Sequence, residues 1–249
     1  MTRVVVVEDE RHGGEVAAQI VADSIRMRPR FVLGIATGST PLSTWSALAE
    51  HRLDLSGIDA FALDEYVGLA EGHPESFDEV VRREVVSPLG LDPDRVHVPV
   101  SHGVDPHLAA ARYEQSILAA GGIDVQILGI GRNGHIAFNE PGSELESLTR
   151  VTRLTAETRA DNARFFPSAD DVPTEAITQG VGTISRARTL VLLAFGGHKA
   201  QALAAALDGP VGAQLPASVI QRHPDAVVIA DPSAASLLST AGTDRLARA

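Results

Sequence analysis

Two short segments of the sequence carry acidic and imidazole side chains that could move protons. In the first, Asp64 and Glu65 are adjacent carboxylates at the end of an apolar run. If that run is a strand, its side chains alternate, so one carboxylate can face a ligand crevice while the other turns away or pairs locally. A carboxylate in such a crevice can serve as a general base. A solvated pair of loop carboxylates is the alternative that this dipeptide alone leaves open.

The second segment is LGIGRNGHIAFNEPG, in which Gly129, Gly131 and Gly134 allow sharp turns and close approach to a ligand. His135 and Glu140 are spaced so that the carboxylate can orient the imidazole and hold one tautomer for proton transfer. The glycine spacing also copies a dinucleotide-binding fingerprint. We reject that interpretation because polar residues stand where an apolar crossover helix should begin, and no clear acidic residue ends a second strand about 20 residues later.

A third segment, TGSTP at residues 37–41, has the composition of an anion-binding turn. Gly38 frees the backbone, Ser39 and Thr40 supply hydroxyl donors, and a following helix N-terminus favours negative charge. Pro41 is predicted at the first helical position. An ordinary helix cap has the same composition, and no Gly-Lys-Ser/Thr follows to make a Walker A loop.

Short apolar runs alternate with amphipathic stretches, and these elements must position the three segments. Six runs are predicted to be buried strands: residues 4–7, 31–36, 60–64, 124–129, 189–195 and 226–230. The alternation predicts an α/β fold, a three-layer Rossmann-like architecture with a mostly parallel sheet and helices on both faces. Ligands in such sheets bind at the carboxyl ends of the strands, which is where the three segments lie.

Helical spacing of apolar residues predicts at least three helices between the strands. The apolar face of the first helix contains Val16, Ile20, Val21 and Ile25. That of the second contains Leu108, Ala111, Ile117 and Leu118. A third helix over residues 200–207 ends at an Asp-Gly-Pro stop signal. We predict one domain over residues 1–249. Its polar stretch at about residues 141–173 is either a lid over the site or an irregular surface insertion.

Composition excludes several classes of protein. The formal net charge of −11 argues against nucleic-acid and anionic-membrane partners, and an anionic small-molecule substrate would need a local basic site. The absence of cysteine excludes disulfides, thiolate catalysis and cysteine zinc sites. The predicted location is cytoplasmic, since no signal-like or membrane-spanning run is found. His97, His102 and His107 are predicted to be solvated, and the sequence leaves open whether the protein forms a homo-oligomer.

Five segments together resemble glucosamine-6-phosphate deaminases: LGIATGSTPL, ALDEYVGL, LGIGRNGHIAFNEPG, TRADNARFF and ITQGVGTI. The resemblance runs from about residue 32 to about residue 224, in the family's order and spacing. The sister family of 6-phosphogluconolactonases shares only the fold, the Gly-rich turn and a Gly-His pair. The combination of DEYVGL and GHIAFNEPG is therefore the specific part of the match.

The resemblance implies deamination of D-glucosamine 6-phosphate to D-fructose 6-phosphate and ammonia, by acid–base chemistry that needs neither a metal nor an organic cofactor. It makes Asp64 the base that moves a proton from C2 to C1, and His135, with Glu140 as its partner, the group that helps open the sugar ring. The substrate-binding residues that follow from the motifs are Gly38, Ser39, Thr40, Glu65, Gly131, Arg164 and Lys199.

The sequence departs from one branch of the family at two places. Asn133 stands where that branch has an aspartate, and an amide can orient a hydroxyl but cannot take a proton at neutral pH. In the branch that N-acetylglucosamine 6-phosphate activates, a lysine stands at Thr152 and a serine at Glu144, whereas Arg150 and Ser143 match.

Three other functions are compatible with the sequence. They are hydrolysis of 6-phosphogluconolactone, deamination of the C4 epimer galactosamine 6-phosphate, and sugar-phosphate binding by a regulator that has lost catalysis.

Overall fold

The computed structural model describes residues 2–239 and the backbone of residues 246–248. The strands are β1 (Arg3–Val6), β2 (Val32–Ile35), β3 (Asp59–Ala62), β4 (Asp64–Tyr66), β5 (Val96–His97), β6 (Val125–Gly129), β7 (Arg150–Arg153), β8 (Glu175–Thr178), β9 (Thr189–Ala194), β10 (Ala226–Ala230) and β11 (Leu246–Arg248). The α-helices are α1 (Glu10–Met27), α2 (Leu42–Glu50), α3 (Phe77–Val81), α4 (Ser87–Leu89), α5 (Pro106–Ala119), α6 (Ala156–Asn162), α7 (Val181–Ser185) and α8 (Ala200–Asp208). A π-helical turn, Arg82–Val86, joins α3 to α4.

Eight parallel strands form the larger sheet, in the order β11-β1-β10-β9-β6-β2-β3-β5. Every residue of β2 and of β10 is buried. Residues on both faces of a strand can be buried only if both faces of the sheet are covered, so helices lie on either side. The prediction of a mostly parallel, three-layer α/β fold is confirmed.

The order of the strands reverses between β2 and β6, which are neighbours at the centre of the sheet. From β2 the chain continues outward to β3 and β5, whereas from β6 it continues the other way to β9 and β10. The connections therefore diverge above the carboxyl ends of β2 and β6 and leave a crevice between them, as the general rule for such sheets requires.

A second, antiparallel sheet has the order β4-β8-β7 and was not predicted. It begins where β3 ends, so the predicted strand over residues 60–64 is wrong at its end: Asp64 belongs to the small sheet and pairs with Thr178. Leu63 marks the crossing, because its carbonyl accepts a hydrogen bond from the Gln179 N–H at 2.8 Å.

The other predicted elements are present, with some corrections. Five strands lie within one or two residues of their predicted ends, and the helix over residues 200–207 ends at Asp208, at its stop signal. Helix α2 begins at Leu42, so Pro41 lies just before the helix rather than at its first position.

Helix α5 exists, but of the four residues predicted on its apolar face only Ile117 is buried. Leu108 and Leu118 are 46% and 50% exposed, while Tyr113 and Glu114 are buried. His97 is also not simply solvated, since it is half-buried on β5 and stacks on Phe61 with ring centroids 4.5 Å apart. His102 and His107 are exposed, as predicted.

Candidate active site

One cavity of about 610 Å³ opens at the predicted place, above the carboxyl ends of the central strands. Its walls come from the turn after β2, the start of β4, the loop after β6, the turn after β9, and α6 with the residues that follow it. The predicted residues that line it are Gly38, Ser39, Thr40, Asp64, Gly131, His135, Arg164 and Lys199. The fold therefore brings together side chains from all three sequence segments and from two later ones.

The side chains of Asp64 and Glu65 lie on opposite sides of β4, as alternation along a strand requires. Asp64 faces the cavity and is 6% exposed. Burial, together with the nearby charge of Glu65, raises the pKa of Asp64 to about 8. A carboxyl group with such a pKa is poised to take and return a proton near neutral pH.

The structure does not place Glu65 in the cavity, which corrects its prediction as a substrate-binding residue. Its carboxylate accepts hydrogen bonds from the backbone N–H groups of Tyr66, Phe77 and Asp78, at 2.7, 3.0 and 2.8 Å. Burial raises the pKa of Glu65, and these three donors oppose that rise. Glu65 therefore fixes the start of α3 against β4, the strand that carries Asp64.

His135 lies in the loop after β6 and lines the same cavity. Its Nδ1 atom is 3.7 Å from Glu140 Oε2, which is too long for a hydrogen bond, and it is buried without another partner among the described residues. Burial lowers the pKa of His135, and the charge of Glu140 opposes that effect. Burial thus favours the neutral form of the ring, and the carboxylate beside it favours the charged form.

Glycine is required at position 131 because the His135 ring lies against it. A Cβ atom on Gly131 would come within 2.2 Å of the ring carbon Cε1. Ala137, which also lines the cavity, has a φ of 51°, in the left-handed region that non-glycine residues rarely adopt. The loop after β6 is therefore bent tightly around the imidazole.

Glu140 is buried behind His135 and does not line the cavity. Asn133 Nδ2 donates to Glu140 Oε2 at 2.9 Å, and Asn133 Oδ1 accepts from the His135 N–H at 3.1 Å. The hydroxyls of Thr155 and Thr158, at the start of α6, donate to Glu140 Oε1. The Asn133 amide thus links the carboxylate of Glu140 to the backbone of His135 and stabilises the loop. The carboxylate of Glu140 is held by hydrogen bonds to both of its oxygens.

The turn after β2 has the features of an anion site. Gly38 has a φ of +92°, a conformation that L side chains rarely adopt, and Ser39 and Thr40 are accessible from the cavity. Helix α2 begins at Leu42 without a side chain capping its N-terminus. The hydroxyls of Ser39 and Thr40 are donors of the kind that phosphate binds, whereas the N–H groups of Leu42 and Thr44 already donate to the carbonyls of Ser39 and Pro41.

Two cations from later segments line the same cavity as this turn. Lys199 follows β9, and its Nζ donates to the carbonyl of Ile130 at 2.6 Å. Arg164 follows α6, with its guanidinium 4.6 Å from the centre of the Phe165 ring. Burial lowers the pKa of Lys199, and the charges of Arg132 and Arg164 lower it further, so positive charge is concentrated around its ammonium group.

Residues 10–229 match the family described as glucosamine-6-phosphate isomerases/6-phosphogluconolactonase. The chain belongs to this family. It is 51% identical to a glucosamine-6-phosphate deaminase of Bifidobacterium longum, over 96% of this chain and 93% of that protein. A solved monomeric glucosamine-6-phosphate deaminase superposes with a TM-score of 0.91 at 38% identity, over 94% of this chain and 99% of the other.

The 6-phosphogluconolactonases of the family are less similar to this chain in sequence. The 6-phosphogluconolactonase of Thermotoga maritima has a TM-score of 0.74 at 21% identity, over 93% of this chain and all of that chain. Such a likeness establishes the shared fold alone. Within the family, the sequence of this chain is therefore nearer to the deaminases.

Sequence reasoning missed several residues of the site. Thr155, the residue before α6, and Thr158 and Asp161 within the helix are spaced three apart, so they share one face, which contacts the loop after β6. The stretch at residues 141–173 thus supplies a wall of the cavity, and its movement as a lid stays a prediction. Arg132 and Asp161 were inside the recognised motifs, but nothing in their spacing indicates that they meet.

No helix in residues 2–239 is long and apolar enough to cross a membrane. Among the described residues, no group of three or more histidine or acidic side chains could hold a metal ion.

Proposed function

We propose that this protein converts D-glucosamine 6-phosphate and water into D-fructose 6-phosphate and ammonia. The observation that carries the proposal is the position of Asp64. A buried carboxyl group with a pKa of about 8 faces the same cavity as an anion-binding turn and two cations. A sugar phosphate held by that turn and those cations would present its carbon chain to a base that can both accept and return a proton.

In the first step, His135 assists opening of the pyranose ring. Because burial lowers its pKa, the ring is neutral and can accept the proton of the C1 hydroxyl. The proton then passes to the ring oxygen as the C1–O5 bond breaks, which gives the open-chain aldehyde. Glu140, held by Asn133, Thr155 and Thr158, lies 3.7 Å from His135 Nδ1, and its charge stabilises the imidazole while the ring carries the proton.

In the second step, Asp64 takes the proton from C2 of the open chain and returns it at C1. The electron pair of the C2–H bond forms the C1–C2 double bond while the C1 carbonyl oxygen takes a proton from the substrate's own ammonium group, which gives an enolamine. Asp64 then protonates C1 as the nitrogen lone pair forms the C2=N bond of an iminium ion. Water then adds to C2, and the resulting carbinolamine loses ammonia to give the ketone. Each proton transfer uses a group of the protein or the substrate's own amine.

The phosphate is bound by the backbone and hydroxyls of Gly38, Ser39 and Thr40 and by the side chains of Arg164 and Lys199. A protein with a net charge of −11 needs such dedicated cations to hold a dianion. We place the reaction in the cytoplasm, which fits a chain without cysteine.

The test offers purified protein glucosamine 6-phosphate, galactosamine 6-phosphate and 6-phosphogluconolactone in parallel. We expect ammonia and fructose 6-phosphate from the first, with kcat/KM at least about tenfold above that for its C4 epimer, as one lost hydrogen bond would give. Preferential hydrolysis of the lactone would refute the proposal and identify the chain with the other half of its family. Preference for the galacto epimer would retain the chemistry and change the substrate.

A further inference from the structure

Arg132 and Asp161 form an ion pair across the cavity walls. Arg132 belongs to the loop after β6, Asp161 belongs to α6, and both residues line the cavity. Arg132 Nη2 lies 2.5 Å from Asp161 Oδ1, with the two side chains 54% and 46% exposed. The pair is therefore well formed but open to solvent and to any ligand that enters.

The surroundings of this pair are those of the anion site. The charge of Arg132 lowers the pKa of Lys199, after burial the largest effect on it, and Arg164 acts in the same direction. The carboxylate of Asp161 opposes them, and it also raises the pKa of His135. Asp161 thus places a negative charge among the cations that would receive a phosphate.

We propose that Arg132 is a third phosphate-binding cation, and that Asp161 is a competing carboxylate that holds Arg132 until the phosphate of the substrate replaces it. The inference deepens the proposed function, because the phosphate is taken to be that of the amino sugar. Asp161 holds Arg132 through one contact, between Nη2 and Oδ1, and a phosphate that binds the guanidinium through two N–H groups competes for that donor.

Replacement of Asp161 by phosphate as the partner of Arg132 is favourable in free energy. An exposed ion pair changes an equilibrium constant by about fivefold at most, whereas a charge-assisted bond to phosphate contributes about tenfold or more. Helix α6 does not depend on Asp161 to stay in place, since Thr155 and Thr158 still bind Glu140. The carboxylate of Asp161 therefore weakens phosphate binding, and its removal should strengthen it.

The experiment measures the Kd of inorganic phosphate by titration calorimetry, at constant pH and ionic strength, on the whole protein. Asp161→Asn should lower the Kd by about three- to fivefold, and Arg132→Gln should raise it by about tenfold. In the Arg132→Gln background, Asp161→Asn should give a clearly smaller gain, because only the repulsion between the carboxylate and phosphate is then removed.

The matched control is Asp23→Asn, which removes a carboxylate from the exposed Arg26–Asp23 pair on α1, outside the cavity. It changes the net charge by the same amount and should leave the Kd unchanged. Unchanged or weaker phosphate binding by Asp161→Asn would overturn the proposal. An equal gain in both backgrounds would also overturn it, since Asp161 would then act by repulsion alone.

Because inorganic phosphate is the probe, the outcome does not depend on turnover. A protein that binds phosphate as expected but releases no ammonia from glucosamine 6-phosphate would refute the proposed function alone. A protein that deaminates normally, with phosphate binding indifferent to Asp161, would refute this inference alone.

Discussion

The proposed proton-transfer region (Asp64, His135 and Glu140) and the proposed phosphate region (residues 38–40, Arg164 and Lys199) meet at one cavity but are built in different ways. Asp64 and Glu140 are buried, and Glu140 is held by three side-chain donors. By contrast, Ser39 and Arg164 are exposed, and the cations of the phosphate region reach the cavity on long side chains. Chemistry that depends on a shifted pKa needs burial, whereas capture of a dianion needs accessible donors and charge.

The same contrast appears in the effect of burial on charge. Burial raises the pKa of Asp64 and lowers the pKa of His135, so both groups are shifted toward their neutral forms. Such groups transfer protons well, but they reduce the stability of the fold. The phosphate region reduces the stability of the fold less, because its charged groups remain partly solvated.

The largest expected effect is therefore in the proton-transfer region. Asp64→Asn should lower kcat by about 10²–10⁴-fold, the usual contribution of a general base. It should also abolish exchange of the C2 hydrogen of the substrate with solvent, measured by proton NMR in D₂O. Near-normal turnover by this variant would remove Asp64 from the mechanism.

Stability is the control that separates lost chemistry from lost folding. The raised pKa of Asp64 means that the folded state resists its ionisation, so stability falls as pH rises from about 4 to about 8. Asp64→Asn lacks this penalty and should be more stable than the parent at pH 8, by about 1–2 kcal/mol. The gain should vanish near pH 4, and a variant that is less stable at both pH values would contradict this account.

In the phosphate region we expect an effect on binding rather than on chemistry. Arg164→Ala and Lys199→Ala should each raise KM for the phosphorylated sugar by about one to two decades, the worth of a charge-assisted hydrogen bond. The control is Arg26→Ala, which removes an exposed cation from α1. An unchanged KM in both site variants would make Arg164 and Lys199 ordinary surface charges.

The two regions also differ in how far the sequence could predict them. Buried parallel strands are continuous apolar runs, so six of them could be predicted from the order of apolar residues in the chain. The turns at the ends of these strands could then be predicted as well. The small sheet could not be found, because β4 has three residues and pairs only with β8, more than 100 residues later in the chain. Because the sequence does not reveal this small sheet, it predicts Asp64 at the end of β3 rather than in β4.

Side-chain partners were harder to predict than elements. The pairing of Glu140 with His135 was expected from their spacing, yet the Glu140 donors Thr155 and Thr158 come from a segment interpreted as a lid or a surface insertion. The local partners of Glu65 depend on where α3 begins, which no sequence pattern had indicated.

A smaller, graded effect is expected from pH. The base must be ionised to take a proton, so kcat/KM should rise with pH through the pKa of Asp64, about 8 in the free protein. The expected increase is about tenfold between pH 7 and pH 9. Steady-state rates across this range, with ionic strength held constant, provide the measurement. A profile that is flat above pH 6 would mean that Asp64 ionises at an ordinary pKa.

The smallest expected effect is that of N-acetylglucosamine 6-phosphate, which activates one branch of the resembling enzymes. Arg150, which matches an effector contact there, already donates to Asn139 at 2.8 Å and to Ser143 at 3.2 Å. Burial lowers the pKa of Arg150, and the nearby charge of Glu144 opposes that effect. The cation and the hydroxyl that an effector would use are therefore bonded to each other.

We accordingly expect hyperbolic substrate saturation, with and without millimolar effector. An effector acts only by binding one conformation more tightly than another, and here Thr152 lacks the cation of the activated branch while Glu144 adds an anion. Glu144→Ser with Thr152→Lys is the matched gain-of-site variant, since it restores both side chains and shifts the local charge by two units. If the parent enzyme gives a sigmoidal curve that the effector makes hyperbolic, regulation persists through residues other than these. If only the double variant responds, the charge at these two positions accounts for the difference.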